Sequence, residues 1–315
     1  MRKVSNGRPQ FVQLLHLVRY KNLLIIFLTQ LIFRYIGLRD VFAHANIEAQ
    51  MPIFHFILLS ISTTLVAAGG NIINDIYDQS IDQINKPNKS IVGRYITERQ
   101  AFQLYFLTIF IGFLLSSYLA YAHQEYPLLL LYPASVFLLW LYSYALKCRL
   151  LIGNIVVSLF IAFVTLLVWI AERKSILQLK EIDMTAYENI ISFFVGFSIL
   201  AFFSNFIREL IKDMEDVEGD ASAGCRTLPI VVGISKSQKI TMIIIAFFLA
   251  IFLIIIALYQ SITPMKAVLS MSIVVGFSYI FIKLSGRELS KEEFSSLSDF
   301  AKWMMITALC FILVQ

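Results

Sequence analysis

Two short acidic stretches carry the side chains of this sequence that are able to do chemistry. The first acidic motif, NIINDIYDQSID at 71–82, places carboxylates and an amide at offsets of four, seven and eleven residues. The second acidic motif, RELIKDMEDVEGD at 208–220, repeats those offsets. Because a helix advances about 100° per residue, each set stays within about 60° and forms one polar edge. The two edges comprise Asn71, Asp75, Asp78 and Asp82, with Asn74 beside them, and Glu209, Asp213, Asp216 and Asp220.

Such crowded carboxylates point to a bound cation. They repel one another unless a positive charge lies among them. Mg²⁺ suits this arrangement because it takes only one or two carboxylates and leaves its other positions to water and phosphate oxygens. The segments near the motifs also supply cations that can hold phosphate, although each of them taken alone also serves as a topology determinant. These cations are Lys89, Arg94, Lys147, Lys212 and Arg226. The pattern predicts a Mg²⁺-diphosphate pocket with the two motifs facing each other.

The elements that position the motifs are apolar helices. The chain has 315 residues, of which 58% are hydrophobic and 15% charged, so it is too apolar for an ordinary soluble domain. Apolar stretches of about 20 residues, enough to cross a bilayer core of about 30 Å, predict an all-α bundle of about nine transmembrane helices rather than a barrel. The predicted spans are roughly Asn22 to Ile36, Ile53 to Ile73, Ala101 to Ala122, Pro127 to Ala145, Leu151 to Ala171, Asn189 to Leu210, Ile240 to Tyr259, Pro264 to Ile282 and Phe300 to Val314.

The spacing of the motifs along the chain predicts an internal repeat. They close the second and the sixth predicted spans, and a short loop with glycine and a basic residue follows each of them. We therefore expect one transmembrane domain over residues 1–315, built from two parallel four-helix repeats at about 20–150 and 151–283 plus a final helix.

The basic residues predict the orientation. Most of the 26 lysines and arginines fall on one side of the membrane if the first span starts there. The positive-inside rule then places the N-terminus and both motifs on the cytoplasmic side of the cell's inner membrane, and the C-terminus outside. The net charge of +5 does not indicate a nucleic-acid partner, because the basic residues are divided among short loops.

A diphosphate held next to lipid indicates an isoprenyl diphosphate as substrate. Its charged head would lie at the motifs and its hydrocarbon tail among the apolar spans, with membrane lipid as the surrounding partner. Neutralising the diphosphate makes it a better leaving group, so that the allylic C–O bond ionises and an acceptor captures the carbocation. The π faces of Tyr77, Tyr142 and Tyr144 are candidates to stabilise this cation, although most aromatic side chains in such a chain serve packing or interfacial anchoring.

At these residues the chain resembles the UbiA superfamily of intramembrane prenyltransferases. Asn74, Asp75, Asp78 and Asp82 match its NDxxDxxxD motif. Asp213, Asp216 and Asp220 match its DxxDxxxD motif. The segment YSYALK at 142–147 is similar to the family's segment between the fourth and fifth spans, which implies that Lys147 binds diphosphate. Asn22 is similar to the asparagine that opens the family's first span. One departure is Lys89-Ser90, where many members have Arg-Pro.

This resemblance implies a nine-helix bundle with a central cavity, a cytoplasmic cap over the aspartates, dependence on Mg²⁺ and transfer of a prenyl group to an acceptor. The segment at 208–233 is most similar to the ether-lipid branch, which adds a second geranylgeranyl chain to a prenylated glycerol phosphate. The branches that prenylate aromatic acceptors in quinone biosynthesis share weaker forms of it, so both kinds of acceptor stay open.

A divalent-cation transporter is the competing class of protein, because intramembrane carboxylates often line ion pathways. Two features count against it. The motifs lie at one membrane face rather than at the midplane, and neither half of the sequence contains a pair of helices broken by glycine or proline. A membrane scaffold without catalytic activity would leave the matched carboxylates without a role.

Overall fold

The computed structural model describes residues 10–85, 90–126, 128–258, 264–310 and 312–314. In these ranges the chain is helical and has no β-strand, which confirms the predicted all-α class. The α-helices, in chain order from α1 to α15, are Gln10–Leu17, Tyr20–Ile32, Arg39–His44, Ile53–Tyr77, Gln79–Asn85, Glu98–Ala122, Leu128–Leu141, Ile152–Ala171, Arg173–Ile182, Met184–Glu215, Val217–Ser222, Leu228–Val232, Ile234–Leu258, Pro264–Ser285 and Lys291–Cys310. Two π-helical turns, Phe33–Gly37 and Tyr142–Leu146, and a 3-10 turn, Ile312–Val314, complete the helical structure of these ranges.

Eight helical segments among the described residues are long and apolar enough to cross a membrane. The ninth predicted span falls on α15 and the 3-10 turn after it, and it is not among the eight. Helix α15 begins KEEFSSLSDF, so its first half is too polar for a hydrocarbon core. The count of nine spans is therefore not confirmed. The eight segments are Tyr20–His44, Ile53–Tyr77, Glu98–Ala122, Leu128–Leu146, Ile152–Ala171, Met184–Glu215, Ile234–Ala257 and Pro264–Ser285.

The chain forms two compact units, and unit 1 comprises Met1–Leu28, Met51–Cys148 and Glu218–Gly224. Its helix α4 packs against α6 and α7. Glycines in α4 allow this approach, because a methyl group on Gly69 would lie 2.9 Å from Ile109 and one on Gly70 would lie 3.0 Å from Leu139. The buried core beneath the end of α4 includes Leu17, Ile72, Ile73, Ile76 and Tyr105.

Unit 2 comprises Thr29–Gln50, Arg149–Val217 and Cys225–Gln315. Its long helix α10 packs against α8, α13 and α15 around a core in which the rings of Phe248 and Phe277 lie 4.7 Å apart. Polar side chains join α8 to α10. The Asn205 amide donates to the Ser158 hydroxyl at 3.2 Å, and the Thr165 hydroxyl lies 2.8 Å from that of Ser198. Such buried hydrogen bonds hold apolar helices together where hydrophobic burial gives little preference.

Candidate active site

The first acidic motif lies at the carboxyl end of α4 and continues into α5 in unit 1. Helix α4 ends at Tyr77, and Asp78 follows with φ −90° and ψ 4° before α5 begins. The predicted edge is therefore interrupted by a helix end, yet the Asp82 N–H still donates to the Asp78 carbonyl at 2.8 Å. The Asn74 amide donates to the Asp78 carboxylate at 2.7 Å, and the Asn71 amide donates to the Val18 carbonyl at 2.9 Å.

Two cations contact this motif from distant parts of unit 1. The Arg19 guanidinium donates to the Asp75 carboxylate at 2.8 Å, and the Lys147 ammonium donates to Asp78. Lys147 follows the π-helical turn, and its N–H bonds to the carbonyl of Tyr142, five residues earlier. Turns of this kind insert one residue into a helix and often occur at functional sites. Both carboxylates thus lie beside a cation that is able to bind phosphate.

The sequence predicted Lys147 but assigned Arg19 only to membrane topology. No spacing connects Arg19 with Asp75, 56 residues away, so the only signal was its position directly before the first span. Asn22 lies one turn further along, and its N–H donates to the Arg19 carbonyl at 2.8 Å. The structure thereby brings Asn22 close to the backbone of a residue that touches the first motif.

The second acidic motif has the same helix break as the first. In unit 2, helix α10 ends at Glu215 and Asp216 follows with φ −96° and ψ 8°. Asp213 accepts a hydrogen bond from the buried Asn154 amide at 2.9 Å, and Asp216 donates its N–H to the Lys212 carbonyl at the same distance. Asn154 was not among the predicted site residues, although it lies only seven residues after Lys147, the last residue of the family-like segment YSYALK.

The Glu209 carboxylate lies between two cations of its own helix. Its oxygens are 2.7 Å from the Arg208 guanidinium and 3.7 Å from the Lys212 ammonium. The last acid of the motif, Asp220, lies on α11 in the Glu218–Gly224 segment, which belongs to unit 1. That the two motifs face each other remains a prediction.

The other predicted residues are placed as follows. Arg94 is exposed, with its guanidinium 5.3 Å from the centre of the Tyr95 ring, and Arg226 is exposed after α11. Tyr142 opens the π-helical turn before Lys147. Lys89 lies outside the described residues.

Two of the three tyrosines named as candidates for cation stabilisation, Tyr77 and Tyr144, form a cluster with Trp140. The Tyr144 ring stacks on Trp140 at 5.3 Å and meets Tyr77 edge-on at 5.8 Å. The Trp140 N–H donates to the Tyr77 hydroxyl at 3.2 Å, and Tyr144 is 62% exposed. These contacts favour a packing or interfacial role for Tyr77 and Tyr144 over contact with a carbocation.

The residues present suit Mg²⁺ by the chemistry of their donors. Each motif offers carboxylate and amide oxygens, the ligands that this hard cation prefers. No three acidic, histidine or cysteine side chains within the described ranges converge on one point. A set of one or two carboxylates is nevertheless what Mg²⁺ takes when phosphate and water fill its other positions. Asp75, Asp78 and Asp82 in unit 1, and Asp213 and Asp216 in unit 2, are therefore suitable donors.

Comparison with known proteins identifies the chain's family. A model of the UbiA prenyltransferase family matches residues 41–306. The chain belongs to the UbiA prenyltransferase family. The match includes both acidic motifs, so the family predicted from them is confirmed. Together with the eight apolar helices among the described residues, this membership makes the chain an integral membrane protein.

Individual UbiA relatives agree with this assignment. Digeranylgeranylglyceryl phosphate synthase of Pyrococcus horikoshii is 33% identical over 196 residues, which cover 62% of this chain and 63% of the relative. A solved chain from work on digeranylgeranylglyceryl phosphate synthase in membranes has a TM-score of 0.64 at 24% identity and covers 97% of this chain and 98% of its own length. A UbiA homologue from Archaeoglobus fulgidus bound to GPP and Mg²⁺ has a TM-score of 0.55 at 15% identity, with coverage of 95% and 99%. The two structural similarities show the fold alone.

Proposed function

We propose that this protein transfers a prenyl group from an isoprenyl diphosphate to a lipid-like acceptor in a Mg²⁺-dependent reaction. The proposed donor is geranylgeranyl diphosphate and the proposed acceptor is geranylgeranylglyceryl phosphate. The observation that carries the proposal is the pairing of carboxylates with phosphate-binding cations at the end of α4, where Arg19 contacts Asp75 and Lys147 contacts Asp78. The relative from Pyrococcus horikoshii supports this choice of acceptor by its name.

The side chains of the first motif and the two cations beside it have different proposed roles. The carboxylates of Asp75, Asp78 and Asp82 hold the metal, which would neutralise the diphosphate and make it a better leaving group. Arg19 and Lys147 supply N–H donors to the phosphate oxygens, because both already lie beside carboxylates that would share the same ligand. The Asn74 amide keeps one oxygen of Asp78 oriented, since it donates to that oxygen at 2.7 Å.

The side chains of the second motif have matching proposed roles. Asp213, Asp216 and Asp220 bind metal, and Asn154 fixes the orientation of Asp213 by its hydrogen bond. Further proposed contacts to phosphate or acceptor complete the site, and these roles rest on sequence resemblance and charge alone. They are Asn22, Asn71, Lys89, Arg94, Tyr142, Glu209, Lys212 and Arg226.

The proposed arrangement in the membrane follows from charge. The N-terminus and both motifs face the cytoplasm, because the basic residues concentrate on the side of the motifs, and the predicted ninth span places the C-terminus outside. We propose a single transmembrane prenyltransferase domain with pseudo-repeats at about 20–150 and 151–283. Labelling of single introduced cysteines with a membrane-impermeant reagent on intact cells tests the orientation.

The activity test uses the purified protein in detergent with Mg²⁺ and geranylgeranyl diphosphate. One reaction contains geranylgeranylglyceryl phosphate and a second contains a phenolic acid, with pyrophosphate release and prenylated product measured in both. We expect a doubly prenylated glyceryl phosphate in the first reaction. Product from the phenolic acid alone would indicate an aromatic-acceptor enzyme instead. If no donor gives product and the protein conducts divalent cations in liposomes, the protein is a transporter and the proposed enzymatic function is wrong.

A further inference from the structure

A buried hydrogen bond joins the end of the first acidic motif to the segment that carries Asp220. Asn85 is the last residue of α5, three residues after Asp82, and it is 7% exposed. Its side-chain oxygen accepts a hydrogen bond from the Gly219 N–H at 2.9 Å, across 134 residues of sequence. Both partners belong to unit 1. Asn85 therefore fastens the residue that directly precedes Asp220 to the helix that carries Asp82.

The contact leaves no room for a side chain at position 219. A methyl group on Gly219 would lie 2.5 to 2.7 Å from three atoms of the Asn85 amide, closer than carbon atoms approach such groups. The carbonyl of Gly219 is also engaged, since it accepts from the Ser222 hydroxyl at 2.6 Å and from the Ala223 N–H at 3.1 Å. Gly219 is thus held from both sides, and α11 is fixed against the Asn85 amide.

The two short helices need such a contact to hold their positions. Helix α5 has seven residues and α11 has six, whereas isolated helices shorter than about 12 residues are marginal in water. Their geometry therefore depends on tertiary contacts rather than on helix propensity. Since Asp82 lies on α5 and Asp220 on α11, the distance between these carboxylates depends on the same contacts.

We propose that Asn85 is a positioning residue that sets Asp220 relative to the first acidic motif so that divalent metal binds. This inference rests on the proposed function, because it assumes that Asp220 and the carboxylates of the first motif hold metal. It assigns Asn85 no contact with substrate. Loss of Asn85 should therefore weaken metal binding directly and lower turnover only through that weaker binding.

The test replaces Asn85 and measures metal binding without donor or acceptor. Mn²⁺ is titrated into the purified full chain in detergent and free Mn²⁺ is followed by EPR. We expect Asn85→Ala to weaken Mn²⁺ binding about tenfold, since a buried N–H loses its acceptor. The half-saturating Mg²⁺ concentration for turnover should rise by a similar factor, while turnover at saturating Mg²⁺ stays within about threefold of wild type.

Two matched variants make the result specific. Asn85→Asp keeps an oxygen that accepts from Gly219 and should bind Mn²⁺ within about threefold of wild type. Gln83→Ala removes an exposed amide from the same helix and should behave as wild type. If Asn85→Ala fails to fold, Asn85→Asp still tests the proposal. Loss of Mn²⁺ affinity in Asn85→Asp would overturn it. Wild-type affinity in a folded Asn85→Ala would overturn it as well. A wild-type protein that binds no Mn²⁺ and forms no product would instead refute the proposed function.

Discussion

A charged pair buried within unit 2 gives the sharpest prediction for stability. The Arg34 guanidinium of the first apolar segment donates to one oxygen of Glu172 at 2.7 Å, and the other oxygen accepts from the Gln50 N–H at 2.8 Å. The side chains of Arg34 and Glu172 are 7% and 0% exposed. This carboxylate thereby holds the chain around Gln50 to the start of α9, 122 residues further along the sequence.

The expected loss in the free energy of unfolding follows from the burial of both charges. Removing one member of a buried pair leaves the other charge without compensation, which costs about 3–5 kcal/mol. We expect this loss from Arg34→Met and from Glu172→Met. Replacing both members removes the uncompensated charge and leaves the Gln50 N–H without its acceptor, at a cost of about 1–3 kcal/mol. The double variant should therefore be more stable than either single variant, which implies strong coupling between the two sites.

The assay is a double-mutant cycle on the free energy of unfolding in mixed detergent micelles. Arg287→Met serves as the control, because the Arg287–Glu293 pair is solvent-exposed, with Arg287 at 71%, and should show no loss outside experimental error. Two outcomes would refute the argument that burial makes this pair strong. One is a loss in the free energy of unfolding below about 1 kcal/mol in each single variant. The other is a loss in the double variant that equals the sum of the losses in the single variants.

The remaining predictions concern the candidate site and one exposed helix end. Asp78→Asn should abolish prenyl transfer in the detergent assay while the protein still inserts and folds. The control Asp299→Asn changes an exposed carboxylate and should leave turnover unchanged. Full activity of Asp78→Asn would exclude Asp78 as a metal ligand. Lys147→Met should raise the KM for the diphosphate donor about tenfold or more, because a charge-assisted hydrogen bond is lost, and an unchanged KM would exclude phosphate contact. Helix α15 should lose stability in acid, because the Glu293 carboxylate accepts the Ser290 N–H at 2.9 Å and this bond lowers the pKa of Glu293. A lowered pKa gives stability that is complete above the ordinary value of 4.5 and is lost as the pH falls below it. The pKa of Glu292 is lowered as well, so the acid dependence of thermal unfolding should be smaller in Glu293→Gln than in the wild type.

Much of the local structure was predictable because it depends on neighbouring residues. Long apolar runs predicted the spanning helices, and the resemblance of the two acidic motifs to those of a known family predicted the family. The helix ends at Asp78 and Asp216 were not predicted, since no glycine or proline marks either position. The ninth span stays a prediction, because the apolar run at 300–314 continues a helix whose first residues are polar.

By itself the sequence determined that the chain enters a membrane and that its carboxylates gather in two short motifs, because hydrophobicity and residue spacing act over a few residues. Only the tertiary structure decided which distant groups meet those carboxylates. Arg19 reaches Asp75 across 56 residues, Lys147 reaches Asp78 across 69, and Asn85 holds Gly219 across 134. Such contacts depend on how helices pack, and packing is set by the sum of many side-chain contacts that no local pattern encodes.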